Sequence, residues 1–207
     1  MHTERGFDRI VNFSDATVAI AITLLILPLV DIGGVTSEHQ SLWALFTENA
    51  NEIFGFVISF LVIWSLWVNH HRVMEYFAGY DSTFLGLHLL WLLTVVCIPF
   101  TTQLITNQQY YLHGAVSLYV AVLLISSVAL HALALRGRRH PELLHPDRPE
   151  VRAWLASPDR WTTMVLLAVI LVIVSVFPWL GAWPLLLLFV DGLVQGARDR
   201  RHGFPQD

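Results

Sequence analysis

Residues 9–29 read RIVNFSDATVAIAITLLILPL, an apolar stretch that opens with an arginine, a serine and an aspartate. A helix needs about 20 mostly apolar residues to cross roughly 30 Å of hydrocarbon, and the run from about Phe13 to Ile32 has that length. Charged and polar groups at the edge of such a helix are costly unless each finds a partner. The stretch therefore predicts a first membrane span whose inner end, at Arg9, Ser14 and Asp15, contacts other helices.

The same length criterion, applied to the rest of the chain, predicts an all-α polytopic membrane protein with six transmembrane helices. The predicted spans cover residues 13–32, 53–68, 84–101, 113–135, 161–177 and 183–197, within a single unit that occupies residues 1–207. The sixth is the weakest because Asp191 and Gln195 interrupt it. The composition agrees, since 55% hydrophobic and only 14% charged residues cannot cover an ordinary soluble surface.

The distribution of arginine predicts the orientation of these spans. All 12 basic residues are Arg, and they lie before the first span, between the second and third, between the fourth and fifth, and after the sixth. Cytoplasmic loops carry the excess of positive charge, so six spans with both termini in the cytoplasm place every Arg on one side. Because the positive charge is confined to these loops, the pattern excludes a nucleic-acid-binding patch, and no nucleic-acid partner is expected.

Two further observations limit the chemistry. Cys97 is the single cysteine, which excludes an intrachain disulfide and a cysteine-rich metal site. The adjacent His70 and His71 diverge by about 100° on a helix, whereas facing metal ligands come three or four residues apart. We therefore expect no metal centre and no cofactor. The polar, proline-containing segment 136–160 is interpreted as a cytosolic linker with room for one short interfacial helix.

The polar groups at the start of the first span need partners elsewhere in the bundle. Arg9 and Asp15 are separated by about 9 Å of rise and roughly 240° of rotation on a helix, so they do not pair with each other. Candidate partners at the same depth are Trp67, Asn69, His70, His71, His88 and Asp191. The ordinary interpretation is that these groups form hydrogen bonds between helices, each contributing ~0.6–2 kcal/mol.

The first span also carries a stripe of residues along one face. At about 100° per residue, the stripe occupies a quarter to a third of the helix circumference. Its members are Ile20, Thr23, Leu24, Leu27 and Asp31, and Phe13 and Ala16 extend it inward. The periodicity alone favours an ordinary packing face over a pore-lining face, and both interpretations stay open on this evidence.

Arg9, Phe13, Ser14 and Asp15, with the apolar run that follows from Ala16 to Leu27, resemble the signature of the transmembrane protein 175 family of potassium channels. The end of the second span, with Trp67, His70 and His71 before an arginine, looks like the Trp- and His-rich pattern of the same family.

The resemblance implies a homotetramer in which each chain meets three identical subunits and the first helices of all four line a path for potassium. By position, Ile20 corresponds to the hydrophobic constriction, Leu24 and Leu27 to further apolar layers, and Thr23 to the hydroxyl linked to cation preference. Arg9, Ser14 and Asp15 correspond to the network that holds the helix. The familiar TVGYG filter sequence is absent. Pro28 departs from the family pattern, which predicts a kink at the outer end of the helix.

The predicted function is therefore that of a potassium-permeable, potassium-preferring cation channel in a bacterial plasma membrane, and not that of an enzyme. The alternative is a proton-coupled secondary transporter of a small solute that uses Asp15, His70 and Asp191, because ionisable residues within spans also mark transport sites. A channel predicts a current that follows the ion gradient, whereas a transporter predicts saturable, proton-coupled uptake.

Overall fold

The computed structural model describes residues 4–34, 41–106, 114–156, 161–180 and 183–185, without the side chains at 4, 31–34, 180 and 185. Within these residues the fold is all-helical, as the sequence predicts. The α-helices are α1 (Glu4–Leu24), α2 (Leu27–Gly34), α3 (Leu42–Glu48), α4 (Ala50–Met74), α5 (Ser82–Thr106), α6 (Ala115–Arg139), α7 (Pro149–Ala156) and α8 (Thr162–Val176). Short 3₁₀ helices occupy Pro141–Leu143, Pro178–Leu180 and Trp183–Leu185.

Four helical stretches in the described residues are long and apolar enough to cross a membrane, which makes the chain an integral membrane protein. They are Arg5–Val30, Ala50–Met74, Ser82–Thr106 and Ala115–Arg139, and each overlaps one of the first four predicted spans. The fifth predicted span corresponds to α8, which has only 15 residues. Apart from the turn at Trp183–Leu185, the sixth predicted span lies outside the described residues, and so does Asp191.

Helix α5 lies at the centre of the bundle, where it packs against α1, α4 and α6. Its buried side chains include Trp91, Val95 and Ile98, which follow the spacing of one helix face and are fully enclosed. Ile63 of α4 and Val120 of α6 complete the middle of this core and are equally inaccessible. The surrounding faces of the bundle are apolar but exposed, as expected for a protein whose outer surface contacts lipid or other subunits.

The first membrane-spanning stretch is interrupted between α1 and α2. The amide of Leu25 donates to the Ile22 carbonyl and the amide of Ile26 donates to the Thr23 carbonyl, both at 3.3 Å, in a pattern of three rather than four residues. Pro28 has no amide hydrogen and cannot donate to the carbonyl of Leu24, which explains why the regular pattern ends here. The break lies where the sequence analysis expects a kink.

A second, smaller core forms at the end of the bundle where α1 begins. We call it the basic-end core, because Arg72, Arg136, Arg138 and Arg139 lie at the same end of the molecule. It contains Phe7, Met74, Phe77, Phe84, Leu133, Leu144 and Val151. Segment 141–156 thus contributes buried side chains, although the sequence indicates there a cytosolic linker with room for one short interfacial helix.

Backbone hydrogen bonds attach this segment to the turn between α4 and α5. The amide of Ala78 donates to the Leu143 carbonyl at 2.8 Å, and the amide of His145 donates to the Tyr76 carbonyl at 3.1 Å. Asp81 accepts hydrogen bonds from the guanidinium of Arg136, including one from Nε at 3.1 Å. These contacts fix the positions of α4, α5 and α6 relative to one another at the basic end of the bundle.

Candidate functional site

Helix α1 has two clearly different faces. One face is buried against α4 and α5 and carries Phe7, Ser14, Val18 and Ala21, followed by Leu25 at the break. These positions are separated by three, four or seven residues, which is the spacing of a single helix face. The rest of the helix is largely exposed. Helix α1 therefore lies at the edge of the bundle and leaves a long face without contacts from its own chain in the described residues.

The buried face carries a polar cluster formed by α1, α4 and α5. The Ser14 hydroxyl is completely buried and lies 2.5 Å from Nε2 of His88. Nδ1 of His88 lies 3.5 Å from Nε2 of His70, and the His70 ring stacks on Trp91 at a centroid distance of 3.9 Å. Both histidines are almost fully buried. Three helices thus meet through hydrogen bonds and ring stacking at one depth.

One arrangement of protons satisfies the hydrogen bonds among Ser14, His88 and His70, whereas Nε1 of the buried Trp91 has no hydrogen-bond partner among the described residues. The Ser14 hydroxyl donates to the Ile10 carbonyl at 2.8 Å, so Ser14 Oγ accepts from Nε2–H of His88. His88 Nδ1 then accepts from Nε2–H of His70. Each histidine is neutral in this arrangement and carries its hydrogen on Nε2. The cluster is a directed hydrogen-bond chain that ends on the backbone of α1.

Asp15, next to Ser14, is bonded separately to α4. Nε1 of Trp67 donates to Asp15 Oδ1 at 2.8 Å, and both side chains are half-buried. The Trp67 ring also stacks on His71 at a centroid distance of 5.3 Å. His71 in turn lies 3.6 Å from the carboxylate of Glu75 near the surface. Adjacent positions on α1 therefore contact different partners, because successive residues on a helix point about 100° apart.

Not every residue of the predicted signature joins these contacts. Arg9 and Phe13 are exposed, Phe13 with 65% of its surface accessible, and neither takes part in the hydrogen bonds of Ser14 or Asp15. Among the described residues, no group of three or more His, Cys, Asp or Glu side chains is arranged to hold a metal ion.

The predicted pore stripe lies on the exposed face of α1 and α2. Ile20 and Leu27 are 60% and 53% accessible, and Thr23 and Leu24 are also exposed. The Thr23 hydroxyl donates to the Ile20 carbonyl at 2.8 Å. Because its hydrogen is directed at its own helix, its oxygen lone pairs remain available as acceptors. The side chain of Asp31 lies outside the described residues.

Sequence reasoning missed two features of this region. Trp91 stacks on His70 and closes the cluster, and its position three residues after His88 is the signal that would have found it. Glu52 lines a cavity beside the break between α1 and α2, and an acidic residue in the first turn of a spanning helix was the available signal.

Comparison with known proteins gives a family for this arrangement. The profile of the family described as "Endosomal/lysosomal potassium channel TMEM175" matches residues 9–99, the part of the chain that contains Ser14, Asp15, Trp67, His70 and His88. A protein of Streptomyces collinus named as a potassium channel is 35% identical over 151 residues, which are 70% of this chain and 72% of that protein. The chain belongs to the TMEM175 family.

Other TMEM175 relatives extend the similarity over most of the chain. A protein of Chamaesiphon minutus named as a potassium channel is 31% identical over 194 residues, which cover 87% of this chain and 91% of the relative. The crystal structure titled as a lysosomal potassium-selective channel TMEM175 homolog from Chamaesiphon minutus superposes with a TM-score of 0.68 at 26% identity. That match covers 92% of this chain and 98% of the other. The relatives are named as ion channels and not as enzymes.

Proposed function

We propose that this TMEM175 protein is one subunit of a potassium-permeable, potassium-preferring cation channel. The single observation that carries the proposal is the exposed face of α1 and α2, on which Ile20, Thr23, Leu24 and Leu27 are accessible in the described residues. One such helix cannot enclose a path for ions, whereas a closed ring of identical copies does. The names of the two bacterial relatives support potassium as the permeant ion.

The assembly we propose is a homotetramer, in which each chain meets three identical subunits and the lipid bilayer. The α1 helices of the four subunits surround the axis, and α4, α5 and α6 form the supporting bundle outside them. The Ser14 and Asp15 contacts support this role, because they attach the buried face of α1 to α4 and α5 and leave the opposite face towards the axis. Asp31 is expected at the outer mouth, where four carboxylates would concentrate cations.

The chemistry of the stripe suggests a separate role for each residue. A ring of Ile20 side chains makes a narrow, dry constriction that restricts ion flow by excluding water, with Leu24 and Leu27 as further apolar layers. The Thr23 ring presents oxygen lone pairs, since each hydroxyl hydrogen is bonded to the Ile20 carbonyl. Oxygen acceptors replace part of the hydration shell of a potassium ion. The proposed mechanism uses potassium as the permeant ion and requires no cofactor.

We further propose that the basic end faces the cytoplasm of a bacterial cell and that the chain crosses the plasma membrane six times. The arginines at the ends of α4 and α6 support this orientation through the excess of positive charge in cytoplasmic loops. In this orientation the Ser14 and Asp15 contacts lie near the cytoplasmic entrance of the path.

Reconstitution of the purified protein into liposomes or planar bilayers tests the function directly. We expect a current that follows the potassium gradient and a reversal potential, in mixed potassium and sodium solutions, closer to that of potassium. Saturable solute uptake that requires a proton gradient would instead support the transporter alternative and contradict the channel.

Substitution Ile20→Asn tests the constriction. A polar side chain admits water to the narrow segment, so we expect a several-fold increase in cation flux with reduced preference for potassium over sodium. The control is Val169→Asn, which introduces the same group at an exposed apolar position of α8. Unchanged flux through folded Ile20→Asn protein would remove Ile20 from the gate.

A further inference from the structure

A cavity of about 250 Å³ lies beside the break between α1 and α2, at the end of the bundle opposite the basic end. Its walls come from the break itself, from the first two turns of α4 and from the second half of α5. Most of the surface is aliphatic or aromatic, from Leu24, Leu27, Phe56 and Phe100 among others. A cavity of this kind suits a compact hydrocarbon body.

One charged group lines this apolar cavity. Glu52 is half-buried, and its Oε2 atom is shielded from solvent and has no hydrogen-bond partner among the described residues. A carboxylate oxygen in such surroundings is stabilised by a charged donor. The geometry therefore provides a negatively charged hydrogen-bond acceptor at the edge of a hydrocarbon-lined space.

The other polar groups of the cavity are already engaged or uncharged. The hydroxyl of Thr102 donates to the Ile98 carbonyl and lies 2.8 Å from the Ser59 hydroxyl, and that of Thr106 donates to the Thr102 carbonyl at 3.2 Å. Pro28 and Pro99 contribute rings and no amide hydrogens to the walls. Since the described lining contains one carboxylate and no basic residue, it selects for a cationic ligand and against an anionic one.

We propose that this cavity binds a small hydrophobic amine, with its primary ammonium on Glu52 and its hydrocarbon body against Leu24, Phe56 and Phe100. A metal ion would lack the several oxygen ligands it requires, because Glu52 is the only carboxylate in the described lining. The amine matches both features of the cavity, because its ammonium donates a hydrogen bond to Glu52 and its hydrocarbon body contacts the apolar lining. The cavity shares Leu24 and Leu27 with the proposed pore-lining face, and its described lining comes from one chain.

The probe pair is cyclohexylmethylamine and its uncharged analogue cyclohexylmethanol, added to the purified full-length protein in nanodiscs of zwitterionic lipid at pH 7. Binding is measured from the dose dependence of the unfolding temperature and by saturation-transfer NMR of the ligand. We expect the amine to bind at least about tenfold more tightly than the alcohol, as a charge-assisted hydrogen bond provides. Equal binding of both compounds would overturn the proposal.

Glu52→Gln keeps the shape of the side chain and removes the charge, and we expect it to weaken amine binding about tenfold while leaving alcohol binding unchanged. Glu48→Gln is the matched control, because Glu48 is an exposed carboxylate just before α4 that does not line the cavity. An equal loss in both variants would indicate general attraction to surface charge and refute the site. If Glu52→Gln fails to fold, the amine and alcohol comparison on the unmodified protein still decides. Because no current is measured, failure here is distinguishable from failure of the channel proposal.

Discussion

Ser14 and Asp15 show how two adjacent residues tie one helix to two others. Their contacts go to His88 on α5 and to Trp67 on α4, in different directions around α1. The sequence indicates that these side chains need partners, and the residue types at matching depth narrow the choice to a few candidates. It does not decide among them, since the pairing depends on how the helices rotate against one another in the packed bundle.

Asp15→Ala should weaken folding or assembly more than it alters ion preference. The substitution leaves the Trp67 Nε1–H without its acceptor, at an expected cost of about 1–3 kcal/mol. Thermal unfolding and the oligomer fraction on size-exclusion chromatography measure the effect, with exposed Asp8→Ala as the control on the same helix. Trp67→Phe should produce a similar loss, and the double variant should lose less than the sum. A stable Asp15→Ala assembly with changed selectivity would contradict this structural role.

Gly137 is a position where two elements approach so closely that a side chain fits only if its neighbours shift. A Cβ atom there would lie 2.7 Å from Cζ of Phe77 and 3.0 Å from Cδ2 of Leu144, and both of those residues are buried in the basic-end core. Gly137→Ala should therefore destabilise the protein by about 1–3 kcal/mol. Gly86→Ala is the matched control on α5, with nothing within 4 Å of the added methyl group.

Since alanine favours a helix over glycine by roughly 1 kcal/mol, Gly86→Ala should be neutral or stabilising. The difference between the two unfolding temperatures measures the steric effect alone. Equal unfolding temperatures for the two variants would show that Phe77 and Leu144 move aside at no cost.

At the scale of elements, the break between α1 and α2 and one short helix after α6 could be predicted, but the packing of segment 141–156 against the bundle could not. Proline has no amide hydrogen and interrupts the helical hydrogen bonds wherever it occurs, so the sequence is sufficient to predict a kink near Pro28. Segment 141–156 has four prolines nearby and mixed charge, and its order depends on Phe77 and Tyr76, which are distant in sequence. Local composition contains no information about such long-range contacts.

The contact between Asp81 and Arg136 links the start of α5 to the end of α6 and makes the stability of this end depend on pH. Partial desolvation raises the pKa of Asp81. The hydrogen bond from the Phe84 amide and the nearby Arg136 guanidinium outweigh this effect, so the pKa of Asp81 lies below its ordinary value of 3.8. A carboxyl with a depressed pKa stabilises the fold fully above its unfolded pKa. This contribution is lost as the pH falls below about 3.8 through the folded pKa.

Asp81→Asn should therefore reduce the free energy of unfolding by about 1 kcal/mol at pH 7 and by progressively less below pH 4. Denaturation in detergent at a series of pH values measures the difference between variant and unmodified protein. Asp147→Asn provides the control, because Asp147 is an exposed carboxylate at the same end of the bundle. A constant difference down to pH 2 would exclude titration of Asp81 as the cause.

At the scale of the whole molecule, hydropathy predicts the class and the first four spans. Long helices such as α4, α5 and α6 are recognisable because their apolar runs exceed the thickness of a bilayer. Helix α8 is apolar but has 15 residues, so length alone does not establish that it spans. The number of subunits depends on contacts between chains, which a pattern within one chain leaves open.

Cysteine cross-linking tests the proposed arrangement of subunits. In a Cys97→Ala background, Ile20→Cys should form disulfide-linked dimers on mild oxidation, because the proposed tetramer brings its four copies of Ile20 together at the constriction. Ala21→Cys is the matched control, since Ala21 is 1% accessible and faces the interior of its own bundle. Cross-linking that is absent at position 20, or equal at both positions, would contradict a path lined by α1.

The basic-end core also has a consequence for synthesis at the ribosome. Phe77 and Phe84 leave the ribosome well before Leu144 and Val151, which complete the core around them. At about 5–20 residues per second, the aromatic surface of the turn between α4 and α5 stays uncovered for several seconds. A nascent chain that stops after α6 lacks Leu144 and Val151 and would leave this aromatic surface uncovered. The residues beyond Arg139 are therefore needed to protect the preceding helices from chaperones and proteases.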